Sequence, residues 1–160
     1  KVDWVFVGTG TTGTLAGISE RLRQEFPTIK IVAVEPVGSA TFGGAPGKRN
    51  IPGIGTSVRP KLADLAQPDR VVAVNEENTV EACLSFLRDY HLLVGGSSGT
   101  VLAAVQQLAR EFRRGDTIVA ISADRGENYL DTIYDPAWVE KVIVPEDDRP
   151  VRTYAFVATE

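Results

Sequence analysis

Apolar residues fall along this chain in short unbroken runs, separated by stretches in which they recur every three to four positions. Trp4 to Val7 is such a run and predicts a strand. Leu15 to Phe26 carries Leu15, Ile18, Leu22 and Phe26 on one helical face, and Pro27 stops that helix. Ile29 to Val34 predicts a second strand, ending at Glu35-Pro36. After a long irregular stretch from Val37 to Arg59, the alternation resumes. Arg70 to Val74 predicts a strand, and Asn78 to Asp89 a helix capped by Asn75 or Asn78. Leu92 to Val94 predicts a short strand, Gly95 to Thr100 a turn, and Val101 to Phe112 a helix. Thr117 to Ser122 predicts another strand, Ala123 to Tyr129 a polar loop, and Trp138 to Lys141 the end of a last helix. The tail from Val151 to Val157 alternates loosely, as an edge strand that could pair with another chain. Unbroken apolar strands joined by amphipathic helices predict an α/β fold, a mostly parallel sheet with helices on both faces.

Composition narrows the function classes. The 160 residues fit one domain with a sizeable core, and the apolar fraction of 43% describes an ordinary globular chain. Seventeen basic against 21 acidic residues, a net charge of −4, argue against a nucleic-acid-binding surface. No apolar run approaches the roughly 18 residues of a membrane span, and no secretory leader is visible, so the expected location is cytoplasmic. Cys83 is alone, which excludes a disulfide framework, and reads as a buried structural thiol. His91, the single histidine, has no cluster of ligating partners, and no metal site is expected. The first residues run almost at once into a strand, so the chain reads as a piece of something longer.

The chemistry concentrates in two turns. Gly8-Thr9-Gly10-Thr11-Thr12-Gly13-Thr14 lies between the first strand and the first helix, where a glycine turn brings backbone N–H groups to a phosphate. The absence of a following Gly-Lys-Ser/Thr excludes a nucleoside-triphosphate loop. Gly8-x-Gly10-x-x-Gly13 fits a dinucleotide fingerprint, with Glu35 near the expected distance for a ribose-binding acid. Two features favour a smaller ligand. Four threonines in the turn suit a phosphate monoester, whose free oxygens accept from hydroxyls as well as amides. The second feature is an echo, Gly95-Gly96-Ser97-Ser98-Gly99-Thr100, which would converge on the same crevice from the end of another strand. N-capping of the next helix remains an alternative role for its serines.

The first turn resembles the phosphate loop of the fold-type II pyridoxal-phosphate enzymes, the cysteine synthase and cystathionine β-synthase group. "VAVEP" at 32–36, "IPGIGTS" at 51–57, "GGSSGT" at 95–100 and "DRGENYLDTIY" at 124–134 follow in the order found there. The likeness extends to about Lys141. "VGSATFGG" from Val37 and Arg49 just before "IPGIGTS" are most similar to a siderophore-pathway branch. That branch joins O-phospho-L-serine and L-glutamate, with loss of phosphate, to N-(2-amino-2-carboxyethyl)-L-glutamate on the way to 2,3-diaminopropionate. A sulfide-using cysteine synthase is the alternative within the group, and a non-catalytic binding module the alternative outside it.

The resemblance implies a fold-type II large domain over residues 1–145, with 146–160 as a tail. It implies pyridoxal 5'-phosphate as cofactor, held at its phosphate by Gly8, Thr9, Gly10, Thr11 and Thr12. Ser97 would meet the pyridine nitrogen, and a neutral hydroxyl there suits β-elimination better than chemistry needing a strongly electron-withdrawing ring. Ser39, Gly53, Gly55 and Arg125 would lie on the substrate side, with Arg49 and Arg59 as further cationic candidates. The partners implied are small amino-acid substrates and a second copy in a homodimer, with no nucleic acid and no membrane. The family's Schiff-base lysine stands well before the phosphate loop, and none of Lys1, Lys30, Lys48, Lys61 and Lys141 corresponds to it. The chain therefore reads as the C-terminal portion of such an enzyme, with no catalytic residue of its own. Ser122-Ala123 departs from the Leu-Pro pair usual before Asp124.

Overall fold

The computed structural model describes residues 1–144. Four strands, β1 (Trp4–Gly8), β2 (Lys30–Pro36), β3 (Arg70–Val74) and β4 (Ile118–Ala120), form one parallel sheet in the order β3-β2-β1-β4. The helices are α1 (Gly13–Glu25), α2 (Ala63–Ala66), α3 (Glu76–Tyr90), α4 (Gly96–Gln107) and α5 (Pro136–Val142). The expected edge strand at 151–157 falls outside the described residues.

Strand alternation sorts the core. Trp4 and Phe6, with Val32, Val34, Val72 and Val74, face Ala82 of α3 and Val101, Ala103 and Ala104 of α4. Val5 and Val7, with Ile31 and Ala33, face Leu15 of α1 and Ala66 of α2. Both sheet faces are thus covered, as the unbroken apolar strands require. A third cluster, with Ile51, Cys83, Val94 and Ile133 at its centre, lies beyond α3 and gathers Trp138 of α5. Beside β4 the cover thins. Apolar clefts of about 650 Å³, lined by Phe86, Leu92 and Leu102 among others, and about 420 Å³, lined by Ile18, Leu22 and Val119 among others, open there.

Chain direction places the functional end of the sheet. From β1 the chain steps outward through α1 to β2 and then β3, and α3 and α4 carry it back across the opposite face to β4. The order reverses between β1 and β4, so a crevice opens at the carboxyl ends of these two strands.

Two elements differ from the sequence expectation. Leu92 to Val94 is no sheet strand and makes a single antiparallel bridge, Val94 to Arg125. The Tyr134 hydroxyl takes its place as partner, donating to the Val94 carbonyl at 2.7 Å while accepting from the Val94 amide at 3.0 Å. The Gly95–Thr100 "turn" is the first turn and a half of α4. Glycine and serine favour loops, but here packing overrides propensity. A Cβ at Gly96 would overlap Ile51, and one at Gly99 would overlap Cys83 Sγ and stand 2.9 Å from the Thr79 carbonyl. Asn75 caps α3 by accepting from the Asn78 amide at 2.9 Å, and exposed His91 ends that helix at φ 58°. Cys83 is free and buried, with its thiol pushed up to about 12 by burial.

The contact at Gly99 is testable. Gly99→Ala should destabilise the domain by about 2 kcal/mol through overpacking of α3 on α4. Adding Cys83→Ala should recover part of that loss in a double-mutant cycle read by urea unfolding. Strict additivity would exclude the thiol contact as the cause.

Candidate functional site

The turn after β1 is built around its backbone. Thr12 is the N-cap of α1 and adopts φ 68°, a left-handed conformation that residues other than glycine rarely take. From Gly10 to Leu15 no backbone N–H finds an acceptor among the described residues. The first turn of α1 contains no acidic side chain, so nothing in the chain offsets the positive end of its dipole. A Cβ at Gly10 would meet nothing within 4 Å, leaving room for a ligand to approach the backbone.

The threonines divide. Thr9 is 1% exposed, and both its amide and its hydroxyl donate to the Val34 carbonyl at 2.9 Å. Thr12 is buried, and its hydroxyl donates to the Thr11 carbonyl at 2.6 Å. These two side chains hold the turn in shape. The exposed Thr11 and Thr14 hydroxyls have no protein partner among the described residues and can turn to a ligand. Gly8 is needed for close approach, since a Cβ there would stand 3.2 Å from Ile54 Cδ1 and 3.3 Å from Val101 Cγ2 of α4.

That last contact brings the two turns together. β1 ends against α4, and the segment Asn50–Ser57 bridges them. Ile51 packs on Gly96 at the start of α4, Ile54 packs on Gly8, and the Gly55 amide donates to the Thr9 carbonyl at 2.7 Å. Gly53 and Gly55 take φ 87° and 78°, which lets this bridge turn inside the crevice.

The N-terminus of α4 differs from that of α1. Its amides at Gly96, Ser97 and Ser98 likewise lack protein acceptors among the described residues. Here, however, the Asp124 carboxylate lies against Gly95, closely enough that any Cβ would overlap it, with Oδ1 buried and unpartnered. An acid so placed already supplies the negative charge this helix end favours. Of the two helix ends, that of α1 is therefore the one whose positive charge nothing within the described residues offsets.

Its serines have separate work. Ser98 is tied to Ser122 Oγ at 2.9 Å, to the Ala123 amide at 3.1 Å and to the Asp124 carbonyl at 3.3 Å. Ser122-Ala123 thus supplies a hydroxyl and an N–H that a Leu-Pro pair would lack. Ser97 is buried, yet its hydroxyl makes no bond among the described residues.

Other expected residues lie differently. Ser39 is a buried hub. Because Thr56 gives its hydroxyl proton to the Val58 carbonyl, the chain must run Ser39 to Thr41 to Thr56. Ser39 Oγ also accepts from the Thr41 and Thr56 amides, each at 3.2 Å, so its hydrogen-bonding capacity is used within the loop. Arg49 braces the same loop through the Gly38 and Thr56 carbonyls and Ser57 Oγ. Arg59 pairs with Asp64 at 2.7 Å. Arg125 stands 83% exposed, paired with Glu127 at 2.6 Å, and lines the apolar cleft beside β4. Glu35 is 5% exposed with Oε2 unpartnered, in register with Ile31 and Ala33, and is not offered to solvent as a ribose-binding acid would be. Two contributors escaped the sequence reading. Asp124 was seen only as part of a motif, and Glu76 was not singled out. Among the described residues no group of acids, histidines or cysteines could hold a metal, and no helix is long and apolar enough to cross a membrane.

The donors present suit a small ligand with a terminal phosphate at one end and a neutral ring acceptor at the other, as pyridoxal phosphate has. Known proteins agree. The profile of the family described as "Pyridoxal-phosphate dependent enzyme" matches residues 1–124. The chain is 40% identical over 140 residues to the N-(2-amino-2-carboxyethyl)-L-glutamate synthase of Ralstonia nicotianae, covering 88% of this chain and 41% of that protein. Its fold is similar to that of the O-acetylserine dependent cystathionine beta-synthase from Helicobacter pylori, with TM-score 0.78 and 30% identity, over 84% of this chain and 44% of that one. It is also similar to O-ureido-L-serine synthase, with TM-score 0.78 and 28% identity, over 85% and 44% of the two chains. The chain thus spans about two fifths of the length of the relatives it matches.

Asp124 has a reporter. Tyr129 donates to its Oδ2 at 2.7 Å, and that bond, with burial, pushes the phenol up to about 12. The proton is held more tightly in the folded state, so this contribution to stability is fully present below about pH 10 and is lost as pH rises toward 12. Asp124→Asn should move the Tyr129 ionisation back toward 10 in an ultraviolet titration; an unmoved transition would dissociate the two groups.

Proposed function

The chain belongs to the pyridoxal-phosphate dependent enzyme family, and from that premise we propose that it is the cofactor-binding part of a β-replacement enzyme. The reaction proposed joins O-phospho-L-serine and L-glutamate to N-(2-amino-2-carboxyethyl)-L-glutamate and releases phosphate, a step toward 2,3-diaminopropionate. The observation that carries the cofactor assignment is the run of free amides from Gly10 to Leu15 at an acid-free helix end, linked by the bridging loop to the start of α4, where the Ser97 hydroxyl is unbonded among the described residues. The choice of substrates is supported by the likeness to the Ralstonia nicotianae synthase.

When bound, pyridoxal phosphate supplies an electron-withdrawing system that lets the α-proton and β-substituent of an amino acid leave. The chain's own residues bind and orient. The amides of Gly10 to Leu15 and the Thr11 and Thr14 hydroxyls hold the cofactor phosphate, and Gly8, Thr9 and Thr12 keep that turn in shape. Ser97 donates to the pyridine nitrogen, and the inner sides of Gly53 and Gly55 form the substrate wall. Ser39 positions that wall from behind.

The proton-transferring lysine is proposed to come from another part of the enzyme. Lys30 lies at the amino end of β2, over the Trp4 ring at 4.7 Å, and Lys1 pairs with Asp3 at 2.7 Å, so both sit at the sheet end opposite the crevice. Lys48 and Lys61 are exposed on loops, and Lys141 belongs to α5. A homodimer and a cytoplasmic location are part of the same proposal.

Incubating the complete polypeptide with O-phospho-L-serine and either L-glutamate or sulfide tests the reading. One phosphate should be released for each glutamate adduct formed, with a change in the cofactor's visible absorbance when phosphoserine is added. Cysteine formation without any glutamate adduct would sink the substrate assignment, and the 160-residue chain alone should turn over nothing.

A further inference from the structure

Glu76 stands in the first turn of α3, and its carboxylate reaches out of the helix to the bridging loop. Oε1 accepts from the Asn50 amide at 2.6 Å and from the Ile51 amide at 2.7 Å, while Oε2 accepts from Asn50 Nδ2 at 2.7 Å. Charge-assisted bonds of this length are among the stronger ones a surface segment can make. Only Pro52, Gly53 and Ile54 separate the clamp from Gly55, whose amide is fixed to the Thr9 carbonyl.

The clamp therefore governs a short lever. On one side of it Ile51 packs against Gly96, where α4 begins. On the other Ile54 packs against Gly8 and Gly55 is bonded to Thr9, where the α1 turn begins. With both ends held, the loop fixes how far apart the two sets of unpaired amides stand. Released at Asn50, its near end would keep only the packing of Ile51 on Gly96, with glycines at φ 87° and 78° between it and the far end bonded to Thr9. A ligand gripped at both ends is sensitive to that separation, because displacements of about 1 Å matter in a site made of hydrogen bonds.

We infer that Glu76 is a positioning residue for the cofactor: it touches neither phosphate nor ring, and it sets the spacing of the two turns through Asn50 and Ile51. The inference rests on the reading of this crevice as the pyridoxal-phosphate site. Glu76→Ala removes three bonds, and Glu76→Gln is the conservative rescue. A glutamine oxygen still accepts from both amides, and its NH₂ donates to Asn50 Oδ1 once that side-chain amide rotates.

The test is a fluorescence titration of the cofactor-stripped complete polypeptide with pyridoxal phosphate, below the melting range of every variant. The ³¹P resonance of the bound phosphate supplies a second readout. Glu76→Ala should raise the Kd about tenfold or more and shift the resonance, while Glu76→Gln stays within about threefold of wild type. If Glu76→Ala does not fold, Glu76→Asp, one methylene too short to reach both amides, replaces it and should fall between. A lowered Tm with unchanged Kd and resonance would reduce Glu76 to a stabilising contact and overturn the inference, leaving the site assignment intact. A wild-type protein that does not bind pyridoxal phosphate would overturn both.

Discussion

The seating of α4 against the rest of the molecule is the constraint on which the crevice depends. Three backbone approaches make it possible: Gly8 lies under Val101, Gly96 against Ile51, and Gly99 against Cys83 and the Thr79 carbonyl. A methyl group would overlap its neighbours at Gly96 and Gly99 and crowd Ile54 and Val101 at Gly8. The helix carries little side-chain bulk at its start, and this lets its N-terminus sink to the level where β1 ends. The consequence is electrostatic as much as steric. Two helix ends, each with amides left unbonded among the described residues, are joined by one short loop beside a topological reversal of the sheet.

Two such ends without further distinction would compete for the same anion. Asp124 breaks the symmetry. Its carboxylate occupies the neighbourhood of Gly95, so the positive end of α4 is offset within the chain while that of α1 is not. In the proposed site, a ligand with a phosphate at one end would then be oriented before any side chain recognised its other end. The Ser98 bonds to Ser122, Ala123 and Asp124 hold the acid-bearing segment in place, and they leave Ser97 as the serine hydroxyl at this helix start free to donate.

Much of this was readable from the chain because it rests on local rules. Unbroken apolar strands, helical spacing and a glycine turn between them are properties of neighbours in sequence, and they led directly to the parallel α/β sheet and to the α1 turn. The order of four further motifs narrowed the ligand from any phosphate to pyridoxal phosphate. What could not be read depends on residues far apart. Nothing near Gly95 reveals that Ile51 and Cys83 force glycine into a helix, so a helical turn looked like a loop. Nothing near Leu92 reveals that the Tyr134 hydroxyl would take the place of a neighbouring strand. Thr9 and Thr12 carry the right hydroxyls for a phosphate, and only the fold discloses that both are turned inward.

The arginines carry the argument one step further. A dicarboxylate and a phosphorylated amino acid call for positive charge, and Arg49, Arg59 and Arg125 stand on loops where sequence alone would recruit them. Arg49 is spent on two carbonyls and Ser57, Arg59 on Asp64, and Arg125 on Glu127. What the α1 turn offers to an anion is neutral: the amides of Gly10 to Leu15 and the Thr11 and Thr14 hydroxyls. Such donors are oriented rather than mobile, and they hold their direction without a counter-ion of their own. A rigid neutral cradle suits a cofactor that stays through every turnover. Substrates that must enter and leave as anions are better served by flexible cationic side chains, and the three loop arginines of this chain are paired within it. The division of labour in the proposed enzyme follows from that chemistry: permanent binding on this sheet, and exchangeable charge and the catalytic amine on the remainder of the polypeptide.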